Sequence, residues 1–156
     1  GMGPVLLIDS NSQRPKLHKL FNVSPKIGLA HILADRTELA ACVQPTSVVG
    51  LDLLPLGTNS LNRTRVEADQ FEVLDAQLRE HYSLVICDFP AASELGPTLL
   101  LAAMMDATLM VIRAGHAAAQ DAQRVVASLT DDGINLVGAV MTDDRHYTPR
   151  WLEKRL

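Results

Sequence analysis

Residues 5–15 read Val5-Leu6-Leu7-Ile8-Asp9-Ser10-Asn11-Ser12-Gln13-Arg14-Pro15, an apolar run that ends in a carboxylate and breaks into polar residues and a proline. Four large aliphatic residues in a row, without alternation, are what a strand covered on both faces of a parallel sheet requires. The same design returns at Leu84-Val85-Ile86-Cys87-Asp88-Phe89-Pro90. Read outward from these two, the chain predicts strands at 4–9, 51–55 (LDLLP), 83–88, 107–113 (ATLMVIR) and 135–141 (NLVGAVM).

Helical patterns separate the strands. In 65–82, Phe71, Leu74, Leu78 and Tyr82 fall on one stripe with charges opposite, the spacing of an amphipathic helix. In 117–131, Ala122, Val125, Val126 and Leu129 repeat that spacing, and Asp131-Asp132-Gly133 supplies a stop. Shorter helices are expected over 28–35 and 95–105, and Gly57-Thr58-Asn59-Ser60 and Gly115-His116 mark turns. Strand and helix alternate throughout, which predicts a three-layer α/β/α domain with a mainly parallel sheet and right-handed crossovers. With 156 residues and no linker, repeat or low-complexity tract, one domain over 1–156 is expected.

Composition removes several classes of function. A net charge of −4 lacks the basic balance that nucleic-acid phosphates demand. No apolar run approaches the roughly 18 residues of a membrane span; the stretch around Leu99–Met105 stops at Asp106. No signal segment opens the sequence, and Gly1-Met2 reads as a tag remnant ahead of a start residue. Cys42 and Cys87 are far apart in sequence and read as reduced thiols of a cytoplasmic protein.

Chemistry concentrates at the strand ends. In open α/β sheets ligands bind beyond the carboxyl ends of strands, which places Asp9 and Asp88 on the functional edge. There the pair is suited to organise Mg²⁺ or to activate a hydroxyl; the plainer role is to cap the segments that follow. Arg14 is a candidate for a phosphate or an acidic partner, because its planar fork grips oxyanions, and Arg113 ends the fourth strand with the same potential. Asp143-Asp144 reads as a solvated acidic turn, and the five histidines lack metal-ligand spacing. A nucleotide site also needs the cradle G-x-x-x-x-G-K-[ST] ahead of the first carboxylate. Only four residues precede Val5, and none of the lysines at 16, 19, 26 and 154 follows a glycine. Without the cradle a triphosphate loses its main anchors, so these 156 residues are expected to bind no cofactor by themselves.

The ordered series VLLIDSNSQRPKLHKLF, GLAHILA, LDLLPLG, LREHYSLVICDFP, DATLMVIRAG and GINLVGAVM resembles the bacterial tyrosine kinases of capsule and exopolysaccharide export, relatives of the partition and septum-site ATPases. The resemblance runs from Val5 to about Met141. It implies a P-loop NTPase-like fold that lacks the N-terminal strand, phosphate loop and first helix, a unit of roughly 30 residues. Such an absence would leave a gap in the sheet or an edge open to pairing with another copy or a partner strand. The segment Val5–Pro15 resembles the family's second Walker A-type motif, D-x-D-x-R-x-P: Asp9 matches its first aspartate, Asn11 replaces the second, and Arg14 lies one place late. The segment Val85–Pro90 resembles Walker B, D-T-P-P, with Asp88 and Pro90 matching and Phe89 and Ala91 departing. Thr142 stands where the family has an asparagine near the base. The two tyrosines, Tyr82 and Tyr147, do not make up the tyrosine cluster of the family's tail.

The resemblance therefore implies Asp9 and Asp88 as catalytic and Mg²⁺-binding candidates, and Asn11, Arg14, Pro90, Arg113 and Thr142 as nucleotide-binding ones. It implies a kinase-like module of an exopolysaccharide or capsule system, regulatory or scaffolding in this form. Its partner would be a membrane chain-length or export protein, or a second copy, with no nucleic acid and no insertion into the membrane. With a phosphate loop supplied, the same residues imply a Mg-ATP-dependent tyrosine autokinase with Asp9 as base. The other readings are a partition-type ATPase remnant and an α/β protein-interaction domain without nucleotide. A phospho-acceptor receiver domain fits poorly: 79 positions separate Asp9 from Asp88, and no lysine ends the last strand.

Overall fold

Strand β1 (Val5–Asp9) lies between two parallel neighbours, β3 (Leu51–Leu54) on one side and β4 (Leu84–Asp88) on the other. The computed structural model of the chain describes residues 3–58, 68–115 and 119–143. They fall into two compact units that meet between Met104 and Met105 in the sequence.

In the first unit a short β2 (Gln44–Pro45) adds antiparallel to β3, giving the sheet order β2-β3-β1-β4. Pro45 donates no ladder hydrogen bond, which suits it to this two-residue edge. The helices are α1 (Leu17–Leu20), α2 (Leu29–Asp35), α3 (Leu39–Cys42), α4 (Ala68–His81) and α5 (Leu99–Ala103). On β1, Leu6 and Ile8 share one face with Leu54, and all three are fully buried. Phe71, Leu74 and Leu78 of α4 and Leu29 and Leu33 of α2 complete the core. Each such side chain contributes about 1.5–3 kcal/mol by leaving water. The opposite side of α4 carries exposed Glu72, Glu80 and an Asp75–Arg79 pair at 2.8 Å, one turn apart.

The chain enters α2 by running against the chain that leaves β3. Leu29 N–H donates to the Pro55 carbonyl and Ala30 N–H to that of Leu56, both at 2.9 Å, so two orphan donors of the first turn are satisfied. Gly28 makes this possible: a Cβ there would stand 1.9 Å from the Pro55 oxygen.

The second unit contains β5 (Thr108–Arg113), α6 (Ala119–Asp131) and β6 (Leu136–Thr142), with β5 and β6 parallel. The predicted stop of α6 is a Schellman closure: Gly133, at φ +81°, donates to the Thr130 carbonyl, and Ile134 donates to that of Leu129. The Leu129 and Ile134 side chains are both buried.

The α/β class and the mainly parallel pairing agree with the sequence, and so do the strand positions. Two expectations are corrected. The continuous apolar runs predicted strands covered on both faces, yet Leu84, Ile86, Leu109, Val111, Val137 and Met141 are exposed. The run records what the side chains prefer, and burial also needs a covering layer, which the described residues do not supply there. Among the described residues β4 pairs with β1 in the sheet of the first unit, and β5 pairs with β6 in that of the second. The helix expected over 95–105 starts instead as a 3₁₀ turn at Gly96–Thr98 and is α-helical only over α5, since Pro97 has no N–H to donate. The turn residues Asn59, Ser60 and His116 lie outside the described residues. Among those described, no helix is long and apolar enough to cross a membrane.

Both cysteines are free. Burial pushes the Cys87 thiol, on β4, up to about 12 and raises that of Cys42 as well.

Candidate functional site

The parallel register sets Asp9 beside Asp88 at the carboxyl ends of adjacent strands. Ser10 stitches these ends together: its N–H and its hydroxyl both donate to the Asp88 carbonyl, at 3.0 and 2.6 Å. Sequence reasoning passed over Ser10, and the only available signal was a small hydroxyl immediately after a strand-end carboxylate.

Asp9 is wholly buried, and the loop that follows folds back onto its carboxylate. Oδ1 accepts from the Asn11 N–H at 3.3 Å, and Oδ2 accepts from the Leu17 N–H at 3.0 Å. Leu17 opens α1, so Asp9 caps a helix eight residues downstream. Asn11 closes a second small ring by accepting from the Arg14 N–H at 3.0 Å. Burial drives the Asp9 carboxyl above the ordinary range, against the pull of the Leu17, Asn11 and Lys16 amides and of His18. Asp88 reaches solvent, and its carboxyl is also raised, by burial first and then by the charge of Asp9.

Pro90 is buried just beyond Asp88, and Arg14 is exposed on the β1–α1 loop. Arg113 and Thr142 belong to the second unit, where they are register partners at the ends of β5 and β6. Arg113 is held by Asp143 at 2.6 Å, so its guanidinium already has a carboxylate. Asp144 and Tyr147 lie outside the described residues. A further pair absent from the sequence reading is Tyr82 with Asp52, 3.2 Å apart. Burial, then the Asp52 charge and hydrogen bond, raise the Tyr82 hydroxyl to about 12. A lone aspartate inside the apolar run LDLLP was the signal for it.

Asp9 already accepts two backbone donors, which leaves Asp88 as the solvent-facing carboxylate. Among the described residues no group of three His, Cys, Asp or Glu side chains is arranged to hold a metal. Mg²⁺ prefers six oxygens, several of them water, and takes its remaining ligands from substrate phosphates. The pair would hold such an ion only if those phosphates were anchored by other groups.

No family model matches the chain. It is 28% identical over 138 residues to the tyrosine-protein kinase wzc of Salmonella typhi, covering 88% of this chain and 19% of that protein. It superposes on the kinase domain of Escherichia coli tyrosine kinase ETK with a TM-score of 0.74 and 27% identity, over 88% of this chain and 55% of that one. The chain is homologous to the bacterial tyrosine kinases. It spans about one fifth of the length of the wzc and etk kinases it matches. The septum site-determining protein MinD of Pyrococcus horikoshii, solved with Mg-ADP, shares the fold: TM-score 0.69, 19% identity, 88% of this chain and 56% of that one.

Asn11 is a neutral side chain in the loop that follows Asp9. Its side-chain oxygen accepts the Arg14 amide as a carboxylate would.

Proposed function

We propose that this chain is a kinase-like module of an exopolysaccharide or capsule export system, acting as a regulatory or scaffolding partner without autonomous ATP binding in this form. The observation that carries the proposal is the state of Asp9. Both strand-end aspartates are present, but Asp9 is buried and engaged with its own loop, and no lysine in the 156 residues follows a glycine. Each of the two units also has exposed apolar strand residues, such as Ile86 in the first and Val111 in the second. Such surfaces suit a membrane-embedded chain-length or export protein, or a second copy.

The coverage of the ETK kinase domain, 55%, favours one second reading. If the full-length protein supplies a phosphate loop, Asp88 with Asp9 would face the bound nucleotide, and the module would serve a tyrosine autokinase.

Isothermal titration calorimetry with Mg-ATP and Mg-ADP, beside an Asp88→Asn control, tests the first reading. It predicts no binding heat up to millimolar nucleotide. Micromolar binding that disappears in the control would overturn it and assign the aspartates to a working nucleotide site.

A further inference from the structure

Between Asp9 and Asp35 the chain contains no acidic residue, yet it places Arg14, Lys16, Lys19 and Lys26 there, three of its four lysines, in a protein of net charge −4. All four cationic residues are exposed, and none has an acidic partner among the described residues. The same stretch holds two large aliphatic residues in water: Leu20 is 74% exposed and Ile27 44%.

The segment is held in this presentation at three points. Its start is fixed by the Leu17 N–H on Asp9. Its middle is clipped by the Gln44 side chain, which accepts from the Ser24 N–H at 2.9 Å and donates to the Ser24 carbonyl at 2.8 Å. Near its end, the Thr58 hydroxyl donates to the Lys26 carbonyl at 3.0 Å. Asn22 makes the intervening turn at φ +53°. A free basic tail would collapse or wave in solvent; this one is braced with its aliphatic residues outward.

We propose that residues 14–27 form a peripheral docking face for an anionic membrane surface. The cations meet lipid phosphates, while Leu20 and Ile27 enter the headgroup boundary. A bilayer is the anionic partner that accepts scattered cations and isolated aliphatic side chains together without a matching groove. The remaining surface is the more acidic part of the molecule, so repulsion would orient the protein with this one face inward. The contact is adsorption, since no described helix could span. It is independent of the nucleotide reading.

Flotation of the intact chain with phosphatidylcholine vesicles, with and without phosphatidylglycerol, tests it at low and high salt. Binding is expected only to the anionic vesicles and should weaken as salt screens the charges. Each surface cation is worth roughly five-fold in partitioning, so Lys16→Gln/Lys19→Gln should lower binding roughly 30-fold. Leu20→Ser should lower binding in a way that salt does not mask. Circular dichroism and thermal melts would confirm that these surface variants fold. The proposal is overturned by equal binding to neutral vesicles, by no binding to anionic ones, or by an unaltered double variant. Binding to polyglutamate without flotation would also overturn it and assign the face to an acidic protein.

Discussion

Asp9 is a carboxylate that its own loop has already claimed, and this decides how it should respond to substitution. Asp9→Ala would strand the Asn11 and Leu17 amides beside a fully buried position, a loss of about 1–3 kcal/mol. Asp9→Asn keeps one oxygen acceptor and removes a charge that burial disfavours and that raises the Asp88 carboxyl, so it should cost clearly less. Urea unfolding of the two variants separates these outcomes, and equal losses would contradict the capping role. The sequence located Asp9 at its strand end because an apolar run closing on a carboxylate is a local signal. That the Leu17 amide would reach back to it was not legible, since the contact depends on how the intervening loop closes.

Gly28 and Gly133 show at the level of the element why some boundaries could be read and others not. The end of α6 is written in consecutive residues: Gly133 takes the left-handed conformation and Ile134 packs on Leu129. The start of α2 depends instead on Pro55 and Leu56, almost thirty residues away. Gly28→Ala should therefore be the costlier exchange, about 1–3 kcal/mol for a backbone that must move off Pro55, against about 1 kcal/mol for Gly133→Ala. Thermal denaturation of the two variants checks the order. The four-residue helices α1 and α3 were invisible because they are shorter than the period that reveals a helix. The edge strand β2 was hidden because two residues containing a proline carry no strand pattern.

For the whole molecule, the apolar runs specified the strands and the alternation specified the α/β class. They did not report which faces would lack a cover. Strand β4 pairs on one side only among the described residues, with Leu84 and Ile86 exposed and no charge before Asp88, the kind of edge that invites association. Ile86→Lys should raise the concentration at which the chain remains monomeric while leaving its melting temperature nearly unchanged. Light scattering across a dilution series would show this, and unchanged association would place the sticky surface elsewhere. The same strand carries a chemical clock. With burial holding its thiol up at about 12, Cys87 stays almost wholly protonated at pH 8. Alkylation by iodoacetamide is then slow while β4 stays packed and accelerates when that strand loosens, so the labelling rate of a single native atom times the opening of the sheet.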